Sequence, residues 1–262
     1  MKMQSMLLLA ILCYIPTVEA WPKFHFPWFT QSTQSTDCQI PNQAESYVLA
    51  VSWQAEFCQG HQAKAECKTT HIKAYQDSHF TLHGLWPNVS ACGINYGFCG
   101  DIKQDDRGEF CKLPAIPNEA QVDEILKDVM PGAGVNESCL ERHEFYKHGS
   151  CQSLNSTAYF GLARELTQQF NDGLANFLAN NIGKPVAISD FLAVINQIWG
   201  RNAGDHLSLS CDKAGNLAAI DINLPKDISP TSQLNVLLAL PTSFKHGNCA
   251  RSFVLVNPAG NL

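Results

Sequence analysis

Two stretches, SYVLAVSWQ at residues 46–54 and HFTLHGLWP at 79–87, settle how the chain is read. In the first, Tyr47, Leu49, Val51 and Trp53 alternate with smaller residues, the period of a strand with one buried face. The second reads as another strand, ended by Gly84 and Pro87. Outward from these, Asn118 can cap a helix running to about Met130, where Pro131 and Gly132 stop it. Helical spacing recurs over 138–148, 157–171 and 189–199, and LAAIDINL (217–224) and SFVLV (252–256) close the chain as strands. The mixture predicts an α+β fold, an antiparallel β-sheet packed by several α-helices on one side.

The 262 residues are 45% hydrophobic and 16% charged, enough for one large domain or two small ones and too apolar for a disordered chain. No convincing linker, internal repeat or membrane-length apolar run follows residue 38, so a single soluble domain over 38–262 is expected, acting as a monomer. A formal charge of −6 excludes a strongly basic protein that coats nucleic acid. Nine histidines qualify this: protonated in mild acid, they would move the balance toward about +3, so affinity for a polyanion should depend on acidity.

Lys2, the apolar run from Met6 to Ile15 and Val18-Glu19-Ala20 form a removable secretory signal over residues 1–20. Residues 21–37, with Pro22, Pro27 and STQST, read as a flexible leader. Cys13 leaves with the signal, and the bulky Leu12 before it argues against a lipid anchor. Ten of the eleven cysteines remain in an exported chain, periplasmic or extracellular: Cys38, Cys58, Cys67, Cys92, Cys99, Cys111, Cys139, Cys151, Cys211 and Cys249. An even number in an oxidising compartment reads as five disulfides. None has the two-residue spacing of a zinc ribbon.

Chemistry concentrates in two segments. In FTLHGLWP, His83 sits at a strand end beside Gly84, where an imidazole can face a sheet edge. In ERHEFYKHGSC, six positions hold His143, Glu144, Lys147 and His148. At about 100° per residue Glu144, Lys147 and His148 share one helical face, His143 flanks it, and Phe145 and Tyr146 point toward the core. Gly149 ends the helix and Cys151 fastens it. A zinc hydrolase would need its two histidines four apart; His143 and His148 are five apart, about 140° around the helix. Ser150 lacks a nucleophile elbow. Two imidazoles, a lysine and a glutamate without metal or cofactor suit RNA, which carries its own 2′-hydroxyl nucleophile. Its cleavage needs a general base, a general acid and cationic help for charge building on phosphorus. Taken singly, each residue has an ordinary structural reading; together they do not. His25, His61, His71, His79, His206 and His246 are read as structural.

FTLHGLWP and HEFYKHGSC resemble the two active-site segments of the ribonuclease T(2) family. The signal, the SWQ segment, the cysteine pattern and VMPGAG are similar to its bacterial periplasmic branch, over nearly all of the mature chain. The resemblance implies that His148 acts as base and His83 as acid in a first transphosphorylation, exchanging roles when the 2′,3′-cyclic phosphate is hydrolysed to a 3′-phosphate. It implies that Glu144 and Lys147 stabilise pentacoordinate phosphorus and that His143 holds phosphate. The segment after His83 would bind a base, with Trp86 as stacking face and Asn88 as amide donor; Tyr96 is a weaker stacking candidate. It further implies the pairs Cys58–Cys67, Cys99–Cys151, Cys211–Cys249 and Cys111–Cys139, leaving Cys38 to Cys92. RNA would be cut with no metal, and DNA, lacking the attacking hydroxyl, would not. Activity should fall on both sides of a mildly acidic or near-neutral maximum. Asn88, Asn136 and Asn155 begin glycosylation sequons. A glycan on Asn88 would crowd the base site, which favours an unglycosylated bacterial protein.

Overall fold

Strand β1 (Ser46–Ser52) lies at the middle of the sheet because both of its neighbours present apolar residues to the same face. The computed structural model describes residues 37–68, 73–104, 108–242, 244 and 247–258. The signal segment and the leader up to residue 36 lie outside the described residues, as do His25, His71 and His246. After β1 come α1 (Gln54–Gly60), α2 (Lys73–Gln76), β2 (Thr81–Asn88), α3 (Glu119–Leu126), α4 (Leu140–Lys147) and α5 (Ser156–Asn181). Then follow β3 (Pro185–Ala187), α6 (Ile188–Trp199), β4 (Leu207–Cys211), β5 (Leu217–Pro225), α7 (Leu234–Leu237) and β6 (Ser252–Val254).

Four strands form one antiparallel sheet in the order β2-β1-β5-β4, and β3 pairs with β6 in a separate ribbon. Register stacks the alternating residues. Leu49 faces Leu85 on one side and Ile222 on the other, Val51 faces Leu82 and Ile220, and Leu207 and Leu209 extend the row on β4. Buried Leu, Ile and Val side chains of this kind contribute roughly 1.5–3 kcal/mol each. The fold is the α+β arrangement expected, with SFVLV on the small ribbon rather than the main sheet. No described helix is long and apolar enough to cross a membrane.

Helix α5 buries Tyr159, Leu162, Ala163, Leu166, Phe170, Leu174 and Leu178, a run at three- and four-residue spacing. Asn155 caps it by accepting from the Ala158 N–H at 2.9 Å. The helix continues ten residues past the expected end at Asn171, because Gly173 is not a breaker here. A Cβ at that position would lie 2.4 Å from the Trp199 ring, so glycine is where α6 docks. Helix α3 is shorter than expected and ends at Leu126. Asn118 precedes it with a left-handed backbone and no side-chain cap; Glu119 instead accepts from the Ile116 N–H at 2.9 Å.

Five disulfides join Cys38–Cys92, Cys58–Cys67, Cys99–Cys151, Cys111–Cys139 and Cys211–Cys249, the pairs the resemblance implies. Four of them lie within residues 38–151, around the face of the molecule that carries His83 and α4.

Candidate active site

His83 owes its position to an irregularity in β2. Trp86, Leu85 and Gly84 pair with Val48, Leu49 and Ala50, but Val51 pairs with Leu82, so His83 has no residue opposite it. This bulge keeps Leu82 and Leu85, three residues apart, on the core face, and leaves the imidazole 45% exposed on an edge strand. The strand therefore does not end at Gly84, as the sequence suggests, but runs on to Asn88. Gly84 is needed for another reason: a Cβ there would lie 2.0 Å from Glu144 Oε2 and 2.3 Å from Trp86 Nε1.

Helix α4 fills that gap. Glu144 is 1% exposed; its Oε2 accepts from Trp86 Nε1–H at 2.7 Å and its Oε1 lies 3.7 Å from His83 Nε2. His148, at the end of the helix, stacks on Trp86 with ring centroids 5.2 Å apart, while His83 meets the same indole edge-on at 5.3 Å. Trp86 thus stands between the two imidazoles and holds the carboxylate. His143 flanks them, 6.4 Å from His148, and lies on Phe110 at 4.3 Å. Phe145 packs on Tyr159 and Phe160, and Tyr146 donates to the Ala115 carbonyl at 3.3 Å, so both turn from the site as helical spacing requires.

The end of α4 is clamped from one loop. The Phe98 N–H donates to the Lys147 carbonyl at 2.7 Å, the Cys99 N–H donates to Ser150 Oγ at 3.0 Å, and Cys99 is bridged to Cys151. Ser150 Oγ in turn donates to the Tyr146 carbonyl at 2.6 Å, an occupation that suits a helix end and not a nucleophile.

Electrostatics follow from burial. It pushes His83 down to about 4 through the enclosed side of the ring, whose other side keeps the 45% exposure, with His143 and Lys147 acting the same way. It holds His148 well below the usual imidazole value, reinforced by Lys147, His143 and His83. It raises Glu144 to about 8, against the hydrogen bond from Trp86 and the attraction of Lys147. These shifts favour the neutral forms of His83, His148 and the Glu144 carboxyl at neutral pH.

A cavity of about 240 Å³ opens next to these groups, lined by His83 and His143 and also by Ser52, Gln54, Lys64 and Phe110. Sequence reasoning passed over these last four. Ser52 and Gln54 flank Trp53 in the SWQ segment, at the end of β1 and the start of α1, without a site role being read from them; Lys64 comes from the cysteine-closed loop 58–67 and Phe110 from the turn that begins just before Cys111. The sequence-proposed base residues lie elsewhere. Trp86 is half-buried between His83 and His148, its N–H engaged by Glu144. Asn88 donates to Ser46 Oγ at 3.3 Å and lines a separate cavity with Asn223 and Thr242. Tyr96 is 2% exposed, accepts from the Gln43 N–H and donates to the Ile40 carbonyl, which leaves no face for stacking. His61 and His79 stack on Phe57 and Tyr75 beside them, and His206 is buried between the Asn223 and Leu240 carbonyls.

The chain matches the model of the Ribonuclease T2 family over residues 44–233. Ribonuclease I of Escherichia coli is 33% identical over 235 residues, 80% of this chain and 85% of that protein. Ribonuclease S-7 of Nicotiana alata is 27% identical over 178 residues, 65% of this chain and 76% of that one. Among solved structures, the self-incompatibility SF11-RNase of Nicotiana alata superposes with a TM-score of 0.53 at 18% identity, covering 81% of this chain and 99% of that one, a likeness of fold. The chain belongs to the ribonuclease T2 family and is an endoribonuclease of the T2 type.

Proposed function

We propose that the protein is exported to the periplasm or the medium and, as a monomer and without a metal, cuts single-stranded RNA in two steps. The observation that carries this reading is the convergence of His83 and His148, from separate segments, on either side of the Trp86–Glu144 pair. His148, kept neutral by burial and by Lys147, takes the 2′-hydroxyl proton; the 2′-oxygen attacks phosphorus; His83 gives its proton to the departing 5′-oxygen. The cyclic phosphate is then opened by water with the roles exchanged, leaving a 3′-phosphate.

His83 must be protonated for the first step although burial opposes it. A phosphodiester anion bound beside it reverses the balance, because a nearby negative charge raises an imidazole. Lys147 supplies fixed positive charge to the phosphoryl oxygens. Glu144, held neutral by burial, can donate a hydrogen bond to one of them, where a carboxylate would repel it. The 240 Å³ cavity gives one base of the strand a place against Phe110 and His143.

The test is digestion of a defined single-stranded oligoribonucleotide in excess chelator, with the matching DNA as a second substrate. Transient 2′,3′-cyclic ends that become 3′-phosphates are expected, with the DNA intact. Loss of cleavage in chelator, or equal cleavage of DNA, defeats the proposal.

A further inference from the structure

Helix α4 turns its catalytic face to the cleft, but the residue immediately before that set builds the cleft's wall. Arg142 is 9% exposed. Its Nε and one terminal nitrogen donate to the two oxygens of Glu119 at 3.0 and 2.7 Å, and the other terminal nitrogen donates to the carbonyls of Cys111 and Leu113 at 3.0 and 2.8 Å. One guanidinium therefore ties α4 to the start of α3 and to the short helical turn Phe110–Lys112. Phe110, the first residue of that turn, is the ring that lies on His143 at 4.3 Å and 28°. The same turn is also tied covalently through the Cys111–Cys139 bridge, which reaches the residue just before α4, while Glu141 accepts from the Gly134 N–H at 2.8 Å.

The fork geometry matters more than the charge. Lysine could reach one carboxylate oxygen but could not span a bidentate carboxylate and two carbonyls at once. We infer that Arg142 is a positioning residue for RNA: by fixing the Phe110 turn it seats that ring against His143 and sets the width of the aromatic wall beside which a substrate base lies. Arg142 touches neither the scissile phosphate nor the base. Its role presupposes RNA as substrate, so wild-type protein that leaves RNA intact defeats the functional reading, whereas an active wild type with an indistinguishable Arg142→Lys variant defeats the positioning role alone.

Steady-state kinetics on an oligoribonucleotide, with wild type, R142K, F110A and the double variant, test it. R142K is expected to raise KM about tenfold while kcat stays within about twofold, F110A to raise KM by the same factor, and the double variant to match F110A, since both remove one wall. A fall in kcat at unchanged KM, or effects that multiply in the double variant, overturns the inference. Should R142K fail to fold, Glu119→Gln provides the reading, because it weakens the fork and keeps both carbonyl bonds. A KM raised about threefold supports the role, and an unchanged KM removes it.

Discussion

The core face of the sheet and the cleft beside it are stabilised by opposite means. On the core face, Leu49, Val51, Ile220 and Ile222 are fully buried and interchangeable in kind, their places set by two-residue alternation and register. In the cleft, specific polar contacts set the places: Glu144 has Trp86, the Lys147 carbonyl and Ser150 are met by residues 98 and 99, and Arg142 has Glu119 with two carbonyls. The first tolerates exchange at a cost in stability, while the second tolerates almost none at a cost in activity.

The sharpest separation should come from His148→Ala and His83→Ala. Each is expected to lower kcat on RNA by about 10³–10⁴-fold with little change in melting temperature, and the double variant should be scarcely worse than either. Multiplicative losses would mean that the two imidazoles act independently. Next is Gly84→Ala, whose methyl would collide with the Glu144 carboxyl and the Trp86 indole. Loss of activity of about 100-fold is expected together with about 1–3 kcal/mol of destabilisation, read by kinetics and denaturant melts. Full activity in that variant would show that the carboxylate need not sit where it does.

Ile222→Ala tests the other region. It should cost about 2–5 kcal/mol in denaturant unfolding and leave kcat/KM on RNA nearly unchanged below the melting range. A selective loss of activity would show that core and cleft are coupled.

The smallest effect is in pH. Glu144 is raised to about 8, so between its unfolded value of 4.5 and 8 the folded state binds more protons and stability falls as pH rises. His83 and His148 are depressed, so below 6.5 the unfolded state binds more protons and stability rises with pH there. The two trends offset each other at mildly acidic pH. Glu141, raised by burial to about 7, acts in the same direction as Glu144, so from 7 to 8 Glu144 carries most of the remaining fall; the melting temperature should drop by a few degrees between 6.5 and 8, less so in Glu144→Gln. An identical slope in that variant would place the titrating group elsewhere. In the same assays kcat/KM should peak at lower pH than kcat, because bound phosphate raises His83.

What could be read from residues alone follows the same division. The strands 46–52 and 81–88 and the helical face of Glu144, Lys147 and His148 were legible because each is a local period in contiguous sequence. The helical pattern over 157–171 stopped short of the true end at Asn181, because the place of Gly173 inside the helix depends on Trp199, twenty-six residues away. Strand β4 escaped notice since LSLSC is short and weakly alternating on its own. Phe110, Ser52, Gln54 and Lys64 were invisible as cleft residues because only the tertiary fold brings their separate segments together. Trp86 was visible as important, but sequence could not show that its N–H would meet Glu144.

The bulge in β2 has one more implication. Take His83 out of the chain and Leu82-Gly84-Leu85 would continue against Val51-Ala50-Leu49 as an uninterrupted ladder. The proposed proton donor is thus a supernumerary residue in an otherwise regular weave, and on that proposal a shortened strand would knit more neatly while leaving the phosphodiester untouched.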